Sequence, residues 1–165
     1  MATFRELRPV EVDYATTGPN RTTLVQEVAK PAETLFRILE DGPAWKEWLG
    51  IEVEWTSPKP FGIGTTRTVA TARQVMDETF LAWDEGRRMA FRFDRSTLPL
   101  RAFAEDYVIE PTGDGSCELR WHYAFEWTGP LAPVTSRLFG AVFKRTGRRA
   151  LGRLADLAAT TDGYD

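Results

Sequence analysis

The sequence has almost none of the side chains that form disulfides or metal centres. It contains one cysteine, Cys117, and one histidine, His122, among 165 residues. An internal disulfide needs two thiols, and structural zinc sites draw on several Cys and His ligands, so we expect neither. A chain without disulfides suits a reducing compartment. We therefore predict a cytoplasmic protein that holds no metal.

Long apolar runs and an excess of basic charge are also missing. No apolar stretch approaches the roughly 20 residues that span a bilayer, and we expect no signal peptide. The formal net charge is −3 and the sequence pI is about 5.3, which argues against a protein that mainly coats nucleic acid. We predict no nucleic-acid partner and no stable membrane insertion, and the pattern leaves the oligomeric state open.

Aromatic residues, by contrast, are abundant, with ten Phe, six Trp and four Tyr. This many rings fits either a well-packed core or an aromatic-lined cavity. The length fits one domain, which we place at residues 22–165, after an N-terminal arm at residues 1–21. Within the arm, Val10, Val12 and Tyr14 alternate with acidic residues and predict a short extra strand.

Helix and strand patterns follow one another in a definite order. A β-rich run from Thr22 to Ala29 precedes two short helices, one starting near Pro31 and one carrying Trp45 and Trp48. Alternation and β-forming residues then predict strands at 51–55, 65–70, 74–83, 88–93, 102–110 and 117–127. A turn at 112–115 joins the last two strands.

The last segment, residues 130–160, has the pattern of one long helix. Its apolar residues at steps of three and four share a face: Phe139, Phe143, Thr146, Gly147, Ala150, Leu154 and Leu157. A first apolar stripe, from Leu131 through Val134 and Leu138 to Val142, lies on another side, so we expect a bend or a separate first turn. Arg145, Arg149 and Arg153 continue that side, either to meet an anionic ligand or as a solvated flank.

Five short segments, in their order along the chain, carry a resemblance to a known family. They are Pro31-Ala32-Glu33-Thr34-Leu35-Phe36, residues 45–48, Gly64-Thr65-Thr66-Arg67, Trp83 with Arg87-Arg88, and Glu110-Pro111 before Gly113-Asp114-Gly115. Together with the order of elements they resemble the START-related SRPBCC superfamily, and within it the bacterial polyketide cyclase/dehydrase-like family. The resemblance covers about residues 22–160.

The resemblance implies an α+β helix-grip fold. In that fold a curved, seven-stranded antiparallel sheet has two short helices after its first strand, and a long C-terminal helix covers a deep, largely apolar cavity. Across the superfamily this cavity holds lipids, hormones, polyketides or other hydrophobic molecules, and members range from cyclases to carriers and sensors. The resemblance therefore implies a hydrophobic ligand but no particular reaction.

One carboxylate is predicted to lie on the apolar face of a strand. Alternation from Phe103 to Ile109 places Glu105 on the same side as Phe103 and Tyr107. In an apolar pocket the pKa of a carboxyl rises, which would suit Glu105 to act as a general acid or base or to anchor a polar ligand end. Tyr107 could offer its phenol to a ligand oxygen. Two alternatives remain open: a buried ion pair with Arg67, and a bulge that turns Glu105 outward.

The inward faces of the other strands and of the last helix supply candidates for the cavity wall. Besides Arg67 and Phe103, these candidates are Trp55, Phe91, Phe93, Trp121, Tyr123, Phe125, Phe139 and Phe143. One of Asp77 and Glu78 must also point inward, but the pattern does not say which. His122 falls among charged residues, which places it on the solvent side. The loops at 58–64 and 97–100 either gate the cavity or cap the sheet.

Three functions remain open at this stage. The first is a carrier or sensor that binds a lipid- or polyketide-like molecule without a cofactor. The second is a cyclase or dehydratase in which Glu105 abstracts a proton and Tyr107 stabilises the enolate. The third is a protein-interaction module that uses the basic face of the last helix, which a collapsed cavity would favour.

Overall fold

The computed structural model describes residues 3–113 and 115–164. Asp114, in the predicted turn at 112–115, lies outside the described residues. The elements are β1 (Arg5–Glu6), α1 (Tyr14–Thr17), β2 (Thr22–Val28), α2 (Ala32–Glu40), α3 (Ala44–Trp48), β3 (Glu52–Trp55), β4 (Thr66–Ala70), β5 (Val75–Asp84), β6 (Arg88–Ser96), β7 (Leu100–Gly113), β8 (Ser116–Trp127) and α4 (Ala132–Thr160).

A single antiparallel sheet organises the molecule. Its strands lie in the order β2-β8-β7-β6-β5-β4-β3, so the strands from β3 to β8 form a meander and β2 pairs with the last of them. With α2 and α3 between β2 and β3 and α4 at the end, this is the predicted α+β helix-grip architecture. The seven predicted strands are joined by an eighth, β1, which pairs with β6.

The helix α4 packs its aromatic face against the inner side of the sheet. The Phe143 ring lies 5.9 Å from that of Phe103 and 4.7 Å from that of Tyr123, while Phe139 lies 5.0 Å from Phe125, all measured between ring centroids. These rings form part of one core shared by α4, α2, α3 and the sheet. The core therefore lies between the sheet and the long helix, as the amphipathic pattern of the helix predicts.

The apolar stripe at the start of α4 is exposed. The residues Leu131, Val134, Leu138 and Val142 lie on the side of the helix away from the sheet, and α4 is one continuous helix of 29 residues. The prediction of a separate first turn is wrong, and the shift between the two stripes needs no bend. The second stripe packs on the sheet while the first faces solvent.

The predicted extra strand at Val10–Tyr14 is wrong. The strand of the N-terminal segment is β1, and Tyr14 instead begins the short helix α1. Val10 and Tyr14 are buried on the outer face of the sheet, in a small second core that also contains Ala15, Ala102, Ala104 and Ala124. Alanines on these central strands leave room for Tyr14, and packing against them decides the local structure.

The strand β5 changes phase at a bulge. Met76, Glu78 and Phe80 are buried toward the inner core, and the pairing of β5 with β6 shifts register between Phe80 and Ala82. A bulge inserts one residue and reverses which side chains point inward beyond it. This explains why the sequence of β5 supports two alternation patterns, and it identifies Glu78 as the inward residue of the Asp77–Glu78 pair.

Candidate functional site

A cavity of about 230 Å³ lies between the inner face of the sheet and α4. Its wall is largely apolar and comprises Trp45, Leu49, Ile51, Arg67, Val69, Thr71, Gln74, Met76, Glu78, Phe91, Phe93, Leu98, Phe103, Glu105, Phe139, Phe143 and Thr146. The volume is somewhat below the roughly 300–1,000 Å³ of typical small-molecule pockets. The cavity that the resemblance implied is therefore present but small.

Glu105 lies on β7 at the wall of this cavity and is 7% exposed. Its Oε2 accepts two hydrogen bonds of 2.8 Å, from the Tyr107 hydroxyl and from the Trp121 indole N–H. Among the described residues, no side chain or backbone group bonds its other oxygen, Oε1. Two fully buried aromatic donors therefore orient the carboxyl group and leave one oxygen for a ligand.

The surroundings of Glu105 favour its protonated form. Burial away from water raises its pKa to about 8, and the nearby Glu78 carboxyl adds to the rise. The hydrogen bonds from Tyr107 and Trp121 and the charge of Arg67 oppose the shift without cancelling it. A pKa of about 8 favours the carboxylic acid at neutral pH, and since Oε2 accepts two hydrogen bonds, Oε1 is the oxygen free to carry the proton and donate it.

A buried ion pair lies at the same end of the cavity. Arg67 on β4 and Glu78 on β5 are register partners, 1% and 3% exposed, with the Arg67 Nε 2.6 Å from the Glu78 Oε2. The guanidinium carbon lies 4.3 Å from the Trp45 ring centroid and 4.5 Å from that of Phe91. Burial raises the pKa of Glu78, and Arg67 opposes that rise. Arg67 thus pairs with Glu78, whereas the sequence suggested Glu105.

The Arg67 Nη1 is the polar atom at this site that needs a partner. It is buried and has no hydrogen-bond partner among the described residues. An unsatisfied buried donor is costly, and here it belongs to a residue of the cavity wall. Arg67 and Glu105 thus both belong to the cavity wall, and the Nη1 atom itself is enclosed among aromatic rings.

The structure brings seven of the twelve candidate residues onto the cavity wall. They are Arg67, Phe91, Phe93, Phe103, Glu105, Phe139 and Phe143. Tyr107 and Trp121 lie behind Glu105, while Tyr123 and Phe125 support Phe143 and Phe139. Trp55 lies apart from the wall and stacks on Phe61, with 4.2 Å between ring centroids.

Sequence reasoning missed several wall residues, chiefly Trp45, Val69 and Met76. It placed either Asp77 or Glu78 inward without deciding between them, and the structure has Glu78 on the wall. The alternation of β4 places Val69 on the side of Arg67, and the partner of Arg67 across the ladder is Glu78. Alternation along β4 could therefore have predicted that Val69 faces the cavity. In β5 the bulge interrupts the alternation that would have placed Met76 and Glu78 on the inner face.

Several polar side chains lie on the outer face of the sheet, away from the cavity. His122 lies there, half-buried, with its Nδ1 2.8 Å from the Thr23 hydroxyl, and burial lowers its pKa. Asp77 also lies there, bonded to Thr68 and Arg95. Of the two loops, 97–100 contributes Leu98 to the cavity wall, whereas Ile63 is exposed.

Within residues 3–113 and 115–164, no group of three or more His, Cys, Asp or Glu side chains is arranged to hold a metal ion. No helix in the same part of the chain is long and apolar enough to cross a membrane.

The meander of strands, the two short helices after the first long strand, and the cavity under α4 define the helix-grip class of the START/SRPBCC superfamily. Solved structures share this fold. A START superfamily protein from Mycobacterium smegmatis aligns with a TM-score of 0.66 at 18% identity, over 83% of this chain and 98% of that one. The Zhui aromatase/cyclase from Streptomyces sp. R1128 aligns with a TM-score of 0.66 at 15% identity, over 84% and 93%.

Within that class, the chain belongs to the family described as polyketide cyclase / dehydrase and lipid transport, whose model matches residues 20–159. A relative in Mycobacterium tuberculosis strain H37Rv, "Uncharacterized protein Rv2574", is 40% identical over 129 residues, which cover 76% of this chain and 77% of the relative. The matched region includes the cavity, the Arg67–Glu78 pair, Glu105 and all but the last residue of α4.

Proposed function

We propose that this protein binds a hydrophobic small molecule, lipid- or polyketide-like, in the cavity under α4, as a carrier or sensor. The observation that carries the proposal is an apolar, aromatic cavity whose wall includes two buried polar side chains, Arg67 and Glu105. Apolar walls with a few placed polar groups are typical of small-molecule sites. The family's description, which includes lipid transport, supports the same conclusion.

The two polar side chains on the cavity wall indicate which chemical groups the ligand should carry. Arg67 is a cation and the protonated Glu105 is a hydrogen-bond donor, and both line the cavity, so we expect the ligand to end in a carbonyl or a carboxylate. Ionisation of Glu105 would replace a donor by a negative charge and repel those oxygens. Affinity should therefore fall as the pH rises through about 8, the pKa of Glu105.

Binding is tested by native mass spectrometry of the purified protein and by a screen of fatty-acid and polyketide probes. The variant Thr146→Trp fills the cavity from α4 and should lose probe binding, whereas Ala141→Trp, on the exposed side of the same helix, should keep it. Glu105→Gln should bind with an affinity that no longer changes near pH 8. Failure of every apolar probe to bind the wild-type protein would contradict the proposal.

A second candidate is a cyclase or dehydratase in which Glu105 transfers a proton. The observation that favours it is the pKa of about 8 on a carboxyl at the cavity wall, since a general acid or base works best near the ambient pH. Tyr107 is fully buried behind Glu105, so in this mechanism it would orient Glu105, and the positive charge of Arg67 on the cavity wall would stabilise the enolate. The solved aromatase/cyclase shares the fold alone.

Catalysis by Glu105 is tested with any substrate that the binding screen identifies. The variant Glu105→Gln keeps the size and hydrogen-bonding capacity of the side chain but cannot exchange a proton. Turnover should therefore fall by about 100-fold or more while ligand affinity at neutral pH changes little. Full activity of Glu105→Gln would eliminate Glu105 as the acid or base.

The third function, a protein-interaction module, is favoured only by a collapsed cavity. A cavity of about 230 Å³ gives it no support.

A further inference from the structure

The outer side of α4 carries a row of exposed apolar residues, which we call the outer stripe: Leu131, Val134, Leu138 and Val142. They are 68%, 67%, 67% and 57% exposed. Most other large apolar side chains of the described residues are buried or half-buried; the other exposed ones are Phe4, Val25 and Ile63, which lie outside α4. The outer stripe is therefore a continuous apolar surface of about three helical turns, of the kind that marks an interaction site.

Basic side chains surround and continue the outer stripe. From residue 129 to residue 155 the chain has six Lys or Arg and no Asp or Glu, although the whole protein carries a net charge of −3. Arg153 donates a 2.9 Å hydrogen bond to the Trp48 carbonyl. The other five are exposed and, within the described residues, form no ion pair: Arg137, Lys144, Arg145, Arg148 and Arg149.

We propose that this face of α4 docks on the surface of an anionic phospholipid bilayer. A helix that combines exposed Leu and Val with flanking Lys and Arg lies flat at such an interface, its apolar side chains among the acyl chains and its cations at the phosphates. A second copy of the chain is a poorer occupant, because a symmetric contact would bring two basic faces together. The docking places α4 in the interface without crossing the bilayer.

The same helical segment also covers the cavity. Phe139 and Phe143 line the cavity from the inner side of α4, one residue along from Leu138 and Val142 on the outer side. Any displacement of α4 at the bilayer would therefore change access to the cavity. The docking inference rests only on the exposed surface, and it stands whether or not the cavity holds the proposed ligand.

The test is co-sedimentation with vesicles of phosphatidylcholine alone and of equal parts phosphatidylcholine and phosphatidylglycerol. The wild-type protein should bind the mixed vesicles and bind phosphatidylcholine alone at least about tenfold more weakly. Leu138→Gln/Val142→Gln and Arg145→Gln/Arg149→Gln should each reduce binding to mixed vesicles about tenfold or more. The matched control, Arg5→Gln/Arg87→Gln, removes the same charge from exposed sites outside α4 and should bind like the wild type.

Several outcomes would overturn the proposal. They are no binding of wild-type protein to either vesicle, equal loss in the Arg5→Gln/Arg87→Gln control, or unchanged binding in both α4 variants. A dimer in sedimentation velocity that Leu138→Gln/Val142→Gln dissociates would assign the outer stripe to a second copy instead. Circular dichroism confirms that each variant is folded, and apolar-probe binding, measured without vesicles, reports on the cavity separately.

Discussion

Glu105 combines an apolar environment with two aromatic donors, and burial has the larger effect on its pKa. The hydrogen bonds from Tyr107 and Trp121 favour the carboxylate, yet the pKa rises to about 8 because water is excluded and Glu78 is close. A carboxyl group held neutral in this way can donate a hydrogen bond at neutral pH. Both the binding proposal and the catalytic proposal depend on this neutral carboxyl group.

The raised pKa of Glu105 should make folding stability depend on pH. The native protein keeps this proton up to about pH 8, whereas the unfolded chain releases it near 4.5. Between these values the native state binds more protons, so stability falls as the pH rises, with a slope on the order of 1 kcal/mol per pH unit. Glu105→Gln lacks the ionisation, and urea denaturation of both proteins across this range should show wild type losing stability relative to the variant. A constant difference would contradict the assignment.

The Arg67–Glu78 pair should behave as one unit. Arg67→Met removes the cation and leaves the Glu78 carboxyl buried without its partner, which should lower the free energy of unfolding by about 3–5 kcal/mol. In Arg67→Met/Glu78→Gln no charge remains, so much of that loss should be recovered. Urea denaturation of the two single variants and the double variant measures the coupling. If the double variant loses as much free energy of unfolding as the two single variants together, the two residues are not coupled and the interpretation is wrong.

At the scale of elements, the close approach of α4 to the sheet depends on Gly147. A Cβ at this position would lie 2.7 Å from the Leu24 Cδ1 and 3.1 Å from the Trp121 Cζ3. Leu24 could yield, but Trp121 is held by its hydrogen bond to Glu105. A glycine in a helix interior ordinarily costs stability, and here it allows the helix to approach β2 and β8 closely.

A pair of glycine substitutions in α4 separates packing from helix propensity. Gly152 has open space around its would-be Cβ, so Gly152→Ala should raise the free energy of unfolding by up to about 1 kcal/mol. Gly147→Ala gains the same propensity but overpacks the contact with Trp121, and the net effect should be a loss of about 1 kcal/mol. Thermal or urea unfolding measures both. If both substitutions raised the free energy of unfolding equally, the contact between Gly147 and Trp121 would not be tightly packed.

At the scale of the whole molecule, the sheet separates two cores of unequal size. The larger core lies between the sheet and α4, and the smaller one holds Val10, Tyr14 and Ala15 against alanines of β7 and β8 on the outer face. The Tyr14 hydroxyl donates a 3.0 Å hydrogen bond to Glu126, which also pairs with Arg8. The N-terminal segment thus covers the central strands on the side away from the cavity.

Removing the outer core should weaken the fold without changing the cavity. Val10→Ala and Tyr14→Ala delete buried atoms, and together they should lower the free energy of unfolding by about 2–4 kcal/mol. Apolar-probe affinity should stay within about twofold, because neither residue touches the cavity wall. Hydrogen exchange should show residues 5–17 losing protection first. A large change in probe affinity would mean that the two faces of the sheet are coupled.

The elements themselves could be predicted almost completely from the sequence, because their periodicities are strong. The alternation in β8 and the spacing of Phe139, Phe143 and Leu154 in α4 depend only on which side chains avoid water. The same reasoning placed Glu105 on the apolar face of β7, where the structure has it. It failed in β5, where a bulge at Leu81 interrupts the alternation, and at Tyr14, whose burial depends on alanines distant in sequence.

Hydrophobic periodicity therefore predicted, from the sequence alone, the succession of strands and helices and the inward carboxylate, and the helix-grip architecture followed from the resemblance to a known family. Only the tertiary structure decided the partners: Glu78 for Arg67, and Tyr107 with Trp121 for Glu105. It also decided which apolar stripe of α4 is buried and which is exposed. The physical reason is that period and propensity are local properties of the chain, whereas pairing register, desolvation and pKa depend on groups that meet only when the chain has folded.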